Sequence, residues 1–249
     1  MGNLIKSEWY KLKKDRSFWL LTFLLVITSI GYPLLIVMDE ATLAVKVNDF
    51  YQYSVLGGNN YVIKLVPCIL AGFFISSEYS NGTMKNVVAS GNSRIQLYFA
   101  KLIIFSVGTM VISLILPLLM TGASAVYFGF YEMPDLGYFL QTILLTALYG
   151  AAFASIMALF ATLLADSGKA IGFMLIFFIL FDSVLYSVAN NISMFEPVFN
   201  YSVFKLLLEI VNVSALSSGE MTKMIVVPVV TFIVFGLLGS ILYKKKEIK

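Results

Sequence analysis

Few residues in this sequence could carry catalytic or metal-binding chemistry. The 249 residues include no His, which removes the commonest general base and metal ligand, and a single Cys, Cys68, which excludes an internal disulfide. The sequence also has no G-x-x-x-x-G-K-S/T phosphate-binding loop and no G-x-S-x-G nucleophile motif. We therefore expect no catalytic site, no resident cofactor and no metal site in this chain.

One acidic residue, Asp182, lies inside a long apolar stretch. A carboxylate at the centre of a membrane-spanning helix costs about 2.5–3.5 kcal/mol on insertion scales. It must therefore face other helices, a cavity or a partner, or it must be protonated. Three interpretations stay open: a proton or cation relay, a polar residue that packs or lines a pathway, and a position near the outer interface.

The segment 78–90 carries the most informative pattern, E-Y-S-N-G-T-M-K, directly after an apolar stretch. Ser80-Asn81-Gly82 is typical of a turn, and Thr83 can cap a helix that begins at Met84. Such a helix would offer apolar side chains to a cytosolic protein, although an ordinary turn between two helices fits the same residues. The residues expected to make this contact are Glu78, Tyr79, Asn81, Gly82, Thr83, Met84, Lys85, Val87 and Val88.

The composition places these residues in a membrane protein. Charged residues make up 12% of the chain, about half the share of a soluble domain, and the mean hydropathy is +0.89. This composition excludes a disordered chain, a fibrous protein and an ordinary soluble enzyme. A membrane-spanning helix needs about 20 apolar residues. The pattern predicts an all-α membrane protein with six such helices, over residues 17–38, 57–77, 102–131, 136–165, 170–189 and 225–243.

The distribution of basic residues predicts the orientation of these helices. With both termini in the cytoplasm, 13 of the 17 Lys and Arg residues fall inside, as the positive-inside rule requires. Lys64 falls within the second predicted span, and we expect its long side chain to reach the outer interface. The predicted protein therefore crosses the membrane several times, with both termini cytoplasmic.

Residues 1–16 precede the first span and predict an amphipathic helix that lies on the inner leaflet. Ile5, Trp9 and Leu12 fall on one face of a helical wheel and would anchor it in the membrane lipids. Glu8 and Arg16 intrude near this apolar face, so the amphipathic pattern is imperfect. A basic flank without fixed structure is the alternative interpretation.

Residues 190–224 form the longest outer segment and are too apolar for a simple loop. The run from Val203 to Val213 is too short to cross a membrane, and Lys205 and Glu209 are spaced to pair on one helical face. We expect one or two short helices that re-enter the outer leaflet or cap the bundle. A loop packed on the outer surface is the alternative.

These features together resemble a type-2 ABC transporter permease. The architecture matches over the whole chain, and Glu78, Gly82, Thr83 and Met84 match the family's pattern after the second span. In size and general appearance the chain is similar to bacitracin-resistance, lantibiotic-immunity and peptide-export permeases. The resemblance implies a half-transporter that pairs with a second copy of itself or a paralogous permease. A separate cytosolic ATPase subunit, which carries the ATP and Mg²⁺, would dock on segment 78–90 as the coupling helix.

The resemblance also implies that residues 3–16 form the family's elbow helix and that the cargo is amphipathic or apolar. An antimicrobial peptide, a lipid or a drug would fit this description. An apolar pathway could be lined by Phe173, Phe177 and Phe178. Alternatively, these residues could face lipid and other helices. We expect no nucleic-acid partner.

Two functions of other classes stay open. The chain could be an ATP-independent secondary transporter or channel that uses Asp182, although its sequence shows no second buried charge and no convincing inverted repeat. It could also be a membrane anchor or sensor that recruits a cytosolic protein. A stoichiometric ATPase partner is expected only for the ABC permease.

Overall fold

The computed structural model describes residues 1–39, 45–80, 93–164 and 166–246, and helices account for nearly all of these residues. The helices long and apolar enough to cross a membrane number six within these ranges, which confirms the predicted all-α membrane fold. In chain order the helices are α1 (Gly2–Lys14), α2 (Arg16–Met38), α3 (Val47–Tyr79), α4 (Arg94–Tyr127), α5 (Leu136–Leu164), α6 (Ser167–Asn191), α7 (Ser193–Asn200), α8 (Val203–Ala215) and α9 (Ser218–Lys245).

The second span is longer than its apolar run. It was predicted over 57–77, but α3 begins ten residues earlier, at Val47. The added turns contain polar residues, yet Tyr51 and Val55 are fully buried there against the rest of the bundle. Packing between helices therefore extends this span beyond what a lipid-facing pattern could indicate.

Local hydrogen bonds set where several helices begin. Asp15 has an extended backbone between α1 and α2, and its carboxylate accepts a hydrogen bond from the Phe18 amide at 3.0 Å. This is the arrangement of an N-cap residue, and it ends α1 while it starts α2. Ser217 and Glu220 form a reciprocal capping box at the start of α9.

The bundle has an inner and an outer set of spanning helices. The buried share of the most apolar window is 56% in α3, 61% in α4 and 72% in α5, but only 17% in α2, 11% in α6 and 22% in α9. Close approach in the inner set depends on a small residue, because a Cβ on Gly150 of α5 would lie 2.9 Å from the Ser113 Oγ of α4. The outer helices leave wide apolar surfaces for lipid or for another protein.

The turn between α4 and α5 closes one end of the bundle. Gly129, Phe130 and Glu132 have positive φ angles there, which suits the glycine and strains the other two residues. The carbonyl oxygens of Tyr131 and Glu132 accept hydrogen bonds from the first two amides of α3 at 2.9 Å. The Glu132 carboxylate also pairs with Lys46 at 2.8 Å, and this hydrogen bond lowers the pKa of Glu132.

Candidate functional site

Four charged side chains form a closed ring where α1 meets the bundle. Each carboxylate contacts both ammonium groups, and the elements joined are α1, the end of α3 and the first turns of α4. The four N···O distances are 2.6 Å for Lys11–Glu8, 2.8 Å for Lys11–Glu78, 3.0 Å for Lys101–Glu78 and 2.8 Å for Lys101–Glu8. We call these residues, Glu8, Lys11, Glu78 and Lys101, the charge ring.

The charge ring is largely removed from water. The side chains of Glu8 and Lys101 are each 2% exposed, and that of Glu78 is 15% exposed. Burial alone would lower the pKa of Lys11, but Glu78 and Glu8 outweigh this effect and raise it. Two positive and two negative charges balance, so the loss of any single member leaves the ring with one uncompensated charge.

Helix α1 reaches the charge ring because its apolar side packs into the bundle. Leu12 is 2% exposed, and its side chain lies 3.3 Å from where a Cβ on Gly108 of α4 would be. Trp9 is exposed and Ile5 is half-buried. The structure thus divides the predicted anchor face: Leu12 contacts protein, whereas Trp9 remains available to the membrane surface.

The charge ring includes Glu78, the first residue of segment 78–90, on which a cytosolic partner is expected to dock. Of the residues expected to contact a partner, Glu78 belongs to the ring and Tyr79 packs beside it, with its ring centroid 5.9 Å from that of Tyr243. The other predicted contact residues, Asn81, Gly82, Thr83, Met84, Lys85, Val87 and Val88, lie outside the described residues. The structure therefore shows how the start of this segment is held.

A second set of contacts fastens the same end of the bundle. The Arg94 guanidinium at the start of α4 donates to the carbonyl oxygens of Lys244 and Lys246 at 3.2 and 3.0 Å. The Lys246 ammonium donates to the carbonyl oxygens of Thr162 and Leu163 at the end of α5. Cations thus satisfy the free carbonyl groups at two helix C-termini. Burial lowers the pKa of Lys246.

These contacts show which parts of the chain share one end. The charge ring brings α1 to the end of α3, and Arg94 brings the start of α4 to the end of α9. The chain crosses the bundle six times between these ends. The start of α1, the end of α3 with Glu78 and the end of α9 therefore belong to one side of the bundle, and α7 and α8 belong to the other.

Asp182 has a charged partner within the bundle. The ammonium of Lys64, on α3, pairs with Asp182 Oδ2 of α6, and the two side chains are 5% and 29% exposed. That Lys64 reaches the outer interface stays a prediction, since the ion pair alone does not give its depth in the membrane. The expectation that Asp182 has no second buried charge is wrong, because Lys64 is 5% exposed and pairs with it.

The apolar segment after α6 forms the two short helices α7 and α8, which meet at an angle of 54°. The predicted pairing of Lys205 with Glu209 does not occur: the Lys205 ammonium instead donates to Asn200 Oδ1 at 2.7 Å. Phe204 packs edge-on against Phe153 of α5, with ring centroids 5.2 Å apart, which holds α8 to the bundle. That these helices enter the outer leaflet stays a prediction.

The three aromatic residues proposed for a pathway lie in different surroundings. Phe178 is 1% exposed and packs within the core, while Phe173 is 44% exposed on the outer side of α6. Phe177 lies between them and stacks on Phe181, with ring centroids 4.6 Å apart. These contacts assign Phe178 to helix packing and leave Phe173 facing outward.

Sequence reasoning missed most of the charge ring. Lys11 and Lys101 were counted only for membrane orientation, and Glu8 was noted only because it interrupts an apolar face. That interruption was the usable signal, since a carboxylate on the buried side of a helix needs a cation. The position of that cation, 93 residues further along the chain, depends on the tertiary packing.

The comparison with protein families agrees with this architecture. A family model described as "ABC-2 family transporter protein" matches residues 4–183, which include the charge ring, Lys64 and Asp182. No curated protein gave a significant match. The matched region exceeds half of the chain and confirms the resemblance to a type-2 ABC permease. The chain therefore belongs to the ABC-2 family of membrane transporter proteins, as a permease subunit that pairs with a cytosolic ATPase.

Proposed function

We propose that this permease subunit exports an amphipathic or hydrophobic molecule, such as an antimicrobial peptide, a lipid or a drug. The ATPase subunit, which binds ATP and Mg²⁺, docks on segment 78–90, and a second copy of the chain or a paralogous permease completes the pathway. The protein resides in a bacterial cytoplasmic membrane with both termini in the cytoplasm. The similarity in size and general appearance to peptide-export and antibiotic-resistance permeases supports such a cargo.

The charge ring is the observation that best supports a mechanical connection between the ATPase and the membrane-spanning helices. It joins the helix before the first span, the end of α3 and the start of α4, and it includes Glu78 at the beginning of the docking segment. A displacement of segment 78–90 by an ATPase would therefore be transmitted to α1, α3 and α4 together. Because three of the four ring members are at most 15% exposed and each carboxylate contacts both ammonium groups, these elements would move together rather than slide past one another.

A copurification experiment tests the proposal. The chain is coexpressed with its ATPase, and the wild type is compared with the variant Glu8→Gln, which removes one charge from the charge ring. Glu132→Gln, which breaks the exposed Lys46–Glu132 pair at the other end of the bundle, is the matched control. We expect a stoichiometric ATPase with the wild type and the control, and a reduced ATPase share or rate with Glu8→Gln. An absence of any ATPase partner would contradict the proposal.

The Lys64–Asp182 pair favours a second candidate, an ATP-independent transporter coupled to protons or cations. Paired intramembrane charges occur in proton and ion pathways. In proteoliposomes without the ATPase, this candidate requires cargo movement that a pH gradient alone can drive. Movement only with ATP and the ATPase would exclude it. The third candidate, a membrane anchor or sensor, predicts a cytosolic partner without any cargo movement.

A further inference from the structure

Two adjoining cavities lie between the end of α6 and the short helices α7 and α8, on the side of the bundle away from the termini. The larger has a volume of about 690 Å³ and the smaller of about 220 Å³. Tyr186, Phe199 and Leu208 line both, so the two cavities share part of their walls. We call the two cavities together the outer vestibule. Its larger part falls within the range of about 300–1,000 Å³ that is typical of small-molecule sites.

The charged residues around the outer vestibule favour a cation. Among the described lining residues of the larger cavity, Glu196 and Glu209 are the acids and Lys205 is the base. Lys205 contacts Asn200 rather than either glutamate. In the smaller cavity Asp182 is neutralised by Lys64. The lining therefore carries one formal negative charge in excess.

Aromatic side chains supply the rest of the recognition. Tyr186 and Phe199 meet edge to face, with ring centroids 5.9 Å apart, and Phe204 lines the smaller cavity. The Lys205 ammonium lies 5.5 Å from the centroid of the Phe199 ring. The protein's own cation thus already occupies an aromatic face in the outer vestibule. Aromatic faces beside carboxylates are the chemistry that recognises organic cations.

We propose that the outer vestibule binds a cationic amphipathic molecule, with its positive group near Glu196 and Glu209 and its apolar part against Tyr186, Phe199 and Phe204. This inference rests on the proposed function, in which the outer vestibule faces the outside and holds cargo at the release end of the pathway. It narrows the cargo from amphipathic molecules in general to positively charged ones. Lys205 competes with the ligand's cation for the Phe199 ring.

The test uses the full chain in lipid nanodiscs, without ATPase, and tetraphenylphosphonium as the cationic probe. Triphenylphosphine oxide, which is aromatic but neutral, is the control compound, and equilibrium dialysis measures both. We expect saturable binding of the cation only. The variant Glu196→Gln/Glu209→Gln should bind the cation about tenfold more weakly, since two nearby opposite charges are lost. Lys205→Gln should bind it more tightly, because the internal competitor is gone.

Glu132→Gln is the matched control, since it removes an acid from the same side of the bundle that does not line the outer vestibule. Its affinity for the cation should equal that of the wild type. Unchanged affinity in the folded double variant, or saturable binding of the neutral compound with the same affinity, would overturn the proposal. If the double variant does not fold, Lys205→Gln decides: tighter binding supports the proposal, and unchanged or weaker binding overturns it.

The outcome is separable from that of the proposed function. Probe binding is measured on the permease alone, whereas the proposed function is tested by copurification and ATPase activity. A permease that binds its ATPase but not the cation would refute only the proposal that the outer vestibule binds cationic molecules. A permease that binds the cation without any ATPase partner would refute only the ATP-driven mechanism.

Discussion

At the scale of single residues, the charge ring is governed by balance rather than by any one contact. Glu8 and Lys101 are almost fully buried, and each has two partners of opposite charge. Removing Glu8 leaves Lys101, and removing Lys101 leaves Glu8, almost fully buried with one counter-charge fewer, and the cost of such an uncompensated charge exceeds that of a lost contact. Removing one acid and one base together restores neutrality.

We predict that Glu8→Gln and Lys101→Met each lower the free energy of unfolding by about 3–5 kcal/mol, the usual cost of breaking a buried ion pair. The double variant Glu8→Gln/Lys101→Met should be less destabilised than either single variant, because Lys11 and Glu78 still pair. Thermal unfolding in detergent measures all three. If the single effects instead add in the double variant, the ring does not act as one unit.

The Lys64–Asp182 pair makes a second residue-scale prediction. Asp182→Leu leaves the buried Lys64 ammonium without its carboxylate, whereas Asp182→Asn still offers it a carbonyl oxygen. We therefore expect Asn to impair transport less than Leu, with normal membrane insertion in both. Lys64→Met/Asp182→Leu should recover assembly relative to Asp182→Leu, as judged by size-exclusion chromatography. Complete loss of transport in an assembled Asp182→Asn variant would show that the charge itself is required.

At the scale of elements, segment 78–90 connects the spanning helices to the expected ATPase. Its start is held by Glu78 in the charge ring and by Tyr79, whose ring centroid lies 4.5 Å from the Lys246 ammonium. A rigid attachment of this kind is what a coupling helix needs, since a loose one would absorb the motion of the ATPase. The apolar residues from Met84 to Val88 are the part expected to enter the partner's surface.

We predict that Met84→Asp uncouples the permease from its ATPase. A buried Met contributes roughly 1.5–3 kcal/mol to an interface, and an unpaired Asp there adds a desolvation cost. Copurified ATPase and permease-stimulated ATP hydrolysis should both fall, while expression and dimerisation stay unchanged. Met84→Leu, which keeps the apolar volume, is the matched control and should resemble the wild type. Wild-type behaviour of Met84→Asp would remove this segment as the docking site.

The positions of the spanning helices could be predicted from the sequence, but most of the contacts between them could not. Long apolar runs predicted all six spans, because the membrane imposes a length and composition that local sequence must satisfy. The polar start of α3 at Val47 escaped this reasoning, since it is buried by protein rather than by lipid. The partner of Asp182 escaped it too, because Lys64 lies 118 residues earlier and only the packing of α3 against α6 brings the two together.

At the scale of the whole molecule, the two ends of the bundle are built differently. The end with the termini is held by charges: the ring at α1, and the Arg94 and Lys246 contacts with helix carbonyl groups. The opposite end holds the outer vestibule and the aromatic contacts of α8. The basic end suits the cytoplasmic face and its ATPase, and the cavity at the other end suits cargo release.

Because the two ends of the bundle differ, the proposed function depends on which end faces the cytoplasm. In a Cys68→Ala background, Met194→Cys places a thiol on α7, where Met194 is 81% exposed, and Ser93→Cys places one before α4, also at an exposed position. With both termini in the cytoplasm, 13 of the 17 basic residues lie inside. We therefore expect an impermeant maleimide to label Met194→Cys in intact cells but not Ser93→Cys. Permeabilised cells should show labelling of both. The reverse pattern in intact cells would place the charge ring outside, where no ATPase could reach segment 78–90, and would contradict ATP-driven export through this chain.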